Sequence, residues 1–233
     1  NLIMTEDNVI AAPKESSFDG RFGCVCGNIC VNVMQPKSSS LVTPTAALCQ
    51  CTDCYQFALA VSKFRKEFCP ESSEEADALT ASNATNMRQI YKSDAVKLSG
   101  EDYLQGVKLK QDSPCIRYYS KCCGTPILID YTMSPFFLVF QHTMNATKKD
   151  GRFQRMKPTV VLNHNSAPPK SPSTPDDIPV QDGVSIGFMF HIIARVLWGI
   201  LSGKKSSPIT TKLETVPTHI GINSLGKKEE TEK

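Results

Sequence analysis

The chain has 233 residues, 26 Lys and Arg against 23 Asp and Glu, and a formal net charge of +3. With 40% hydrophobic and 21% charged residues it has the composition of an ordinary folded protein, long enough for one domain or two small ones. So small and dispersed a charge gives no strong nucleic-acid signal. The unusual count is ten cysteines.

Residues 1–17 are polar and read as a flexible N-terminal segment. Asn1-Leu2-Ile3-Met4-Thr5-Glu6-Asp7 has neither a basic stretch nor an apolar core, so no secretory signal is expected. The expected compartment is cytoplasmic, or nuclear, and reducing. There, clustered cysteines read as metal ligands rather than as a disulfide framework.

Residues 18–145 read as a mainly β domain. Cys24-Val25-Cys26-Gly27 opens it, and Cys30-Val31-Asn32-Val33-Met34 alternates as a strand does. Cys49-Gln50-Cys51-Thr52-Asp53-Cys54 is the second cluster, followed by a short apolar segment over 55–61. Residues 63–89 read as an insertion, acidic and Ser-rich over 71–78 and turn-forming over 82–86. Short strand-like runs follow over 89–91, 95–98, 104–109, 116–119 and 126–131, with Cys122-Cys123-Gly124 between the last two.

Residues 146–182 are basic, then Pro- and Ser-rich, and read as an extended linker. Residues 183–203 are the strongest helix candidate. Ile186, Met189, Phe190, Ile193, Leu197, Ile200 and Leu201 recur at helical spacing, with His191 and Arg195 on another face. The segment is long enough to span a bilayer, but its central Arg and His oppose that. The stripe suits a helix lying on the protein's own core, or one in contact with a membrane surface. Residues 204–233 read as a polar tail.

Sulfurs one or three positions apart are poorly placed to pair with each other, yet converge readily on one soft metal. Zinc takes four ligands tetrahedrally. Cys24 and Cys26 supply half a site, with Gly27 accepting the backbone angles of the turn. The obvious source of the other half is Cys122-Cys123-Gly124. A metal there would clamp the first and last strands of the domain and contribute to folding directly. Cys49, Cys51 and Cys54 offer three thiolates from one loop. That leaves a fourth position for water, a substrate thiolate or another side chain. The triplet is therefore the candidate for chemistry, and the first cluster the candidate for scaffolding. The competing reading makes all of them small buried hydrophobes. Asp53 reads as a hydrogen-bond acceptor behind the ligands, or as a base. His142, His164, His191 and His219 show no ligand spacing to any cluster.

Taken in order, Gly23-Cys24-Val25-Cys26-Gly27, the Cys49–Cys54 motif and Arg117-Tyr118-Tyr119-Ser120-Lys121-Cys122-Cys123-Gly124-Thr125 resemble the glutathione-dependent formaldehyde-activating enzyme family, also called the centromere protein V family. The resemblance covers about residues 18–145 and implies a zinc-stabilised β-tent of short antiparallel strands. The C-terminal amphipathic helix falls outside the common domain. The resemblance implies a structural zinc at Cys24, Cys26 and Cys123. It implies a second zinc, or binding of the glutathione thiol, at Cys49, Cys51 and Cys54. The implied activity is that of a carbon–sulfur lyase on glutathione–aldehyde adducts, with zinc as Lewis acid. Arg117 is the candidate to bind a carboxylate of a glutathione-like ligand, or else forms a salt bridge within the sheet.

One position departs from the family pattern: Ser120 stands where the family has a cysteine, and a hydroxyl is a poor substitute for a thiolate on zinc. Three arrangements stay open. Cys122 fills the vacancy, or it completes the triplet's site, or the first site has lost its metal and packs dry. The alternative function class is a non-catalytic, zinc-stabilised interaction module that docks a partner or chromatin, suited to the linker, the helix and the Lys-rich tail.

Overall fold

The computed structural model describes residues 18–34, 46–72, 76–146, 155–167, 177–183, 186–201, 203 and 209–225. The expected flexible segment 1–17, the Pro/Ser-rich run over 168–176 and the lysine pairs of the tail lie outside them. The described residues are mainly β, in two sheets.

The smaller sheet is antiparallel throughout. It orders β10 (Met144–Ala146), β1 (Gly20–Gly23), β2 (Cys30–Val33) and β5 (Ala95–Ser99). The larger sheet has eight strands. They run β11 (Val160–Leu162), β3 (Ala46–Cys49), β4 (Thr85–Tyr91), β9 (Phe136–Phe140), β8 (Pro126–Tyr131), β7 (Cys115–Ser120), β6 (Leu104–Lys108) and β12 (Thr218–Ile220). Its six inner strands pair antiparallel, while β11 and β12 close the two edges in parallel pairings.

Successive side chains of a strand point to opposite faces, and the large sheet uses both. Tyr118, Leu128, Phe137 and Val139 pack with Phe22, Val31 and Val33 of the small sheet. Their neighbours Tyr119, Ile129 and Phe140 pack against Phe57, Val61 and Phe64 of α1 (Thr52–Phe68). Cys54, Phe57, Ala58, Val61 and Phe64 lie on one helical stripe, which is why α1 lies flat on the sheet. The ring of Phe64 meets that of Tyr119 edge-on at 5.4 Å.

Several segments differ from their expected form. The apolar run over 55–61 is the middle of a 17-residue helix. Residues 85–89, expected in an insertion, begin the long strand β4. The expected linker contributes β11, held on β3 with Val160 opposite Ala47 and Leu162 opposite Cys49. The expected polar tail contributes α3 (Thr210–Glu214) and β12. Ile209, Leu213 and Val216 are buried in the core between the sheets, and the Tyr118 hydroxyl donates to Leu213 O at 3.3 Å. The hydrophobic residues of α3 and its flanks drive this docking, while β12 is added by backbone pairing alone.

α2 (Ile186–Leu201) occupies the segment expected to be an amphipathic helix. Gly199 touches the sheet so closely that an added Cβ would lie 2.7 Å from Pro135 and 3.1 Å from Tyr91. Ile192 and Val196 face the sheet, whereas Phe190, Ile193, Leu197 and Leu201 are exposed. No helix among the described residues is long and apolar enough to cross a membrane.

Candidate metal centres

Seven of the ten cysteines, all of them free thiols, gather into two groups. In each group the sulfurs lie within 4.8 Å of one another.

The first group is Cys24, Cys26, Cys122 and Cys123. Cys24 and Cys26 sit on the turn between β1 and β2. Cys24 N–H donates to Ile29 O at 3.1 Å, and Gly27 N–H to Cys24 O at 3.1 Å. Gly27 closes this turn at φ +83°, a conformation that favours glycine. Ile29 N–H donates to Cys24 Sγ at 3.2 Å, so the turn already orients the sulfur. Cys122 and Cys123 come from the turn between β7 and β8. There Ser120 N–H donates to Thr125 O at 2.9 Å and Gly124 adopts φ +61° against Arg65 of α1.

Cys122 Sγ lies 3.9 Å from Cys24 Sγ and 3.3 Å from Cys26 Sγ, and Cys24 and Cys26 are 3.3 Å apart. The sulfur–sulfur edge of a tetrahedral zinc tetrathiolate is about 3.8 Å, given Zn–S bonds of ~2.3 Å. The four sulfurs thus fit a closed tetrahedral site with little movement. Cys122 joins Cys24, Cys26 and Cys123 and is not with the triplet, so the arrangement in which it completes the triplet's site is not the one found. Ser120 holds Cys123 from behind. Its hydroxyl lies 3.1 Å from Cys123 Sγ and accepts from Thr125 N–H at 2.9 Å, and the Thr125 hydroxyl lies 3.0 Å from the same sulfur.

The second group is Cys49, Cys51 and Cys54. Cys49 ends β3, Cys51 caps the N-terminus of α1, and Cys54 lies in its first turn. Cys51 Sγ accepts from Cys54 N–H at 3.4 Å, and Asn163 Nδ2 donates to Cys49 Sγ at 3.6 Å. Gln50 between the ligands is buried. It donates to Ser82 O at 3.1 Å and lies 2.8 Å from His164 Nδ1.

Proton sharing has the same pattern in both groups. Hydrogen bonds from Cys51 and Cys54 lower Cys49 to about 3. Cys49 in turn pushes Cys51 and Cys54 up. In the four-cysteine group, Cys122 and Cys24 lower Cys123, with help from Ser120 and Thr125. Cys123 and Cys24 raise Cys122. Cys24 itself rises to about 12; Cys122 pulls it down, but Cys123, burial and Cys26 outweigh that. Each group therefore favours one thiolate solvated by its neighbours' protons. A divalent cation would replace those protons and let every sulfur ionise.

The triplet differs in its surroundings. It borders a cavity of about 540 Å³ over the α1 face of the large sheet. Arg117, on β7, also lines it, 97% buried, with Nη2 3.5 Å from the Asp53 carboxylate. Burial opposes the charge of Arg117, but Cys115, Cys54, Tyr131 and Asp53 around it favour that charge and raise its pKa. Asp53 is 59% exposed and turned toward Arg117. Sequence reasoning did not identify Asn163, Gln89, Ile192 or Val196 as site residues, though all four line the cavity. Asn163 stood in an expected linker. Gln89 stood at the edge of an expected insertion. No family model and no curated protein matches the chain.

Proposed function

We propose that the protein binds two zinc ions, one structural and one partly open, and acts on thiol adducts at the open one. The four-cysteine group ties the β1–β2 turn to the β7–β8 turn and fixes the relation of the two sheets. The three-cysteine group leaves one coordination position for a ligand sulfur. The single observation that supports this reading is the contrast between a closed set of four sulfurs and a set of three opening on a cavity.

The reaction proposed is that of the formaldehyde-activating family whose motifs the sequence resembles: carbon–sulfur cleavage of a thiol–aldehyde adduct, with glutathione as the family's thiol. In cleavage of such a hemithioacetal the hydroxyl loses its proton as the carbonyl forms. The C–S bond breaks, and the sulfur leaves with the electron pair and takes up a proton. Zinc bound at Cys49, Cys51 and Cys54 would supply Lewis acidity that stabilises the departing thiolate. The chain's own residues supply the rest. Asn163 steadies Cys49, Arg117 presents buried N–H groups to an oxygen of the adduct, and Ile192 and Val196 of α2 line one side of the site.

Metal analysis of the purified protein tests this: two zinc ions per chain are expected. Cys51→Ser should lower the count to one and abolish cleavage of the glutathione–formaldehyde adduct, with the fold retained. A chain without zinc, or a variant with full activity, overturns the proposal. The exposed apolar stripe Phe190, Ile193, Leu197 and Leu201 favours a second reading, a zinc-stabilised module that docks a partner. In that case both metals are structural and Cys51→Ser costs stability instead.

A further inference from the structure

The cavity beside the triplet is larger and more apolar than a one-carbon adduct requires. The one-carbon unit of such an adduct is only two heavy atoms beyond the sulfur, so most of the cavity's volume of about 540 Å³ is left for the body of the thiol that carries it. The strands that floor the cavity contribute alternate residues of one face: Met87 and Gln89 from β4, Ile129 from β8, Leu138 from β9. Ile192 and Val196 of α2 form the opposite wall. Cavities of this size with a few convergent polar groups are the ordinary form of a small-molecule site.

Two polar side chains in this apolar wall have unmet hydrogen-bonding capacity. Among the described residues, Arg117 Nε and Nη1 and Gln89 Oε1 are buried without a partner. Arg117 is 3% exposed and Gln89 6%. Leaving such groups unpaired costs free energy that a ligand can recover. Arg117 is linked through Asp53 to the first turn of α1, which also carries Cys54. An anion that meets Arg117 therefore stands close to a sulfur at the triplet.

We infer that the cavity selects an amphipathic thiol, or its adduct. Its sulfur sits at the triplet, its anionic or oxyanionic group on Arg117, and an apolar group of several carbons lies between the sheet and α2. The inference rests on the proposed open metal site and adds what that site is built to receive. It makes α2 a specificity element of the site, and Arg117 and Gln89 its polar anchors. Full burial of glutathione would be poorly served here. Its two carboxylates, ammonium and peptide groups outnumber the two lining side chains with unpaired buried polar atoms, Arg117 and Gln89.

The test uses the full chain loaded with cobalt(II) in place of zinc and a series of 2-mercaptoalkanoates from three to eight carbons. The change in cobalt–thiolate absorption on adding each thiol, over the absorption of the protein's own cysteine ligands, reports sulfur binding at the metal independently of turnover. Affinity is expected to rise about fourfold per added methylene until the cavity is filled. Ile192→Asp and Val196→Asp should flatten the series, weakening the longest members most and the three-carbon thiol least. Arg117→Lys should weaken every carboxylate member at least about tenfold and leave the corresponding plain alkanethiols unchanged. A series that is flat in the unaltered protein overturns the inference while the metal reading stands, as would glutathione binding more tightly than the longest member. Absence of a cobalt–thiolate signal that depends on Cys51 overturns the metal reading itself, and the inference with it.

Discussion

The two cysteine groups use the same ligand chemistry on different supports. The four-cysteine group is made from two tight turns whose backbones hydrogen-bond internally, and one of its sulfurs accepts an amide N–H. It lies where the two sheets meet, and Cys24 and Cys123 belong to the core between them. The three-cysteine group is made from a strand end and a helix start, and borders a cavity. A fourth protein ligand turns a metal into a cross-link; an unfilled position turns it into a binding site. In the proposed reading, what separates scaffold from chemistry is therefore the count of sulfurs and the space beside them.

The largest effect expected from this contrast is the loss of the cross-link. Cys24→Ser or Cys123→Ser should cost several kcal/mol, because the metal's binding energy is folding energy. That corresponds to a fall in melting temperature of more than about 10 °C for a chain of this size. A strong chelator should do the same to the unaltered protein. Differential scanning calorimetry with parallel metal analysis reads both. A melting temperature that stays put would remove the distinction between the groups.

Next in size is the converse change at the triplet. Cys51→Ser should release one zinc and weaken thiol binding at least about a hundredfold, a loss of ~3 kcal/mol in binding, while the melting temperature moves by only a few degrees. Titration of the thiol into each protein, followed by calorimetry, gives both numbers on one sample. An equal fall in melting temperature for Cys51→Ser and Cys24→Ser would mean that both metals are cross-links.

The sequence carried this contrast unevenly. Both groups were legible as groups because ligand spacing is a local property, and Cys49, Cys51 and Cys54 needed no tertiary information. Cys122 was legible as a candidate ligand, but not which of the two groups it joins. Adjacent side chains normally diverge, and only the turn through Gly124 at φ +61°, against Arg65 of a distant helix, brings both sulfurs to one point. The mainly β character followed from short alternating runs. The length of α1 was present in the spacing of Cys54, Phe57, Val61 and Phe64, but the acidic run after it drew the boundary too early. β11 and β12 left little trace. They are three-residue edge strands held by backbone pairing, and β12 has no buried residue to mark it. The cavity was illegible for a related reason, since one wall is α2 and the other is built by strands far from it in sequence, β4, β8 and β9 among them.

Metal held as proposed would be released from both groups by acid, since thiolates must take up protons, and this blurs the comparison unless other acid-sensitive groups are known. His142 is one. Burial lowers it to about 4, with Arg155 adding to the shift. In the unfolded chain it titrates near ~6.5. Between these values the unfolded state holds the extra proton, so stability falls as pH falls from about 6.5 toward 4. From pH 7 to pH 5 this amounts to about 2 kcal/mol. His142→Phe should remove that part of the acid limb in urea unfolding at the two pH values. An unchanged limb would assign it to the cysteines and carboxylates instead.

The smallest effects distinguish the groups one hydrogen bond at a time. Ser120 serves only the four-cysteine group and Asn163 only the triplet. Ser120→Ala removes contacts to Cys123 Sγ and to Thr125 N–H and should cost ~1 kcal/mol of global stability. Asn163 stands at φ +59°, where glycine is at ease, so Asn163→Gly deletes the amide without backbone strain. Its cost should fall on metal affinity at the triplet, about tenfold, as for other groups that support a ligand from behind. Competition with a chromophoric chelator measures the affinity and urea unfolding the stability. The two variants should exchange places between the two assays: Ser120→Ala visible in unfolding, Asn163→Gly in chelation. If both register in the same assay, the two sulfur groups do not divide scaffold from chemistry, because each hydrogen bond reports only on the metal it supports.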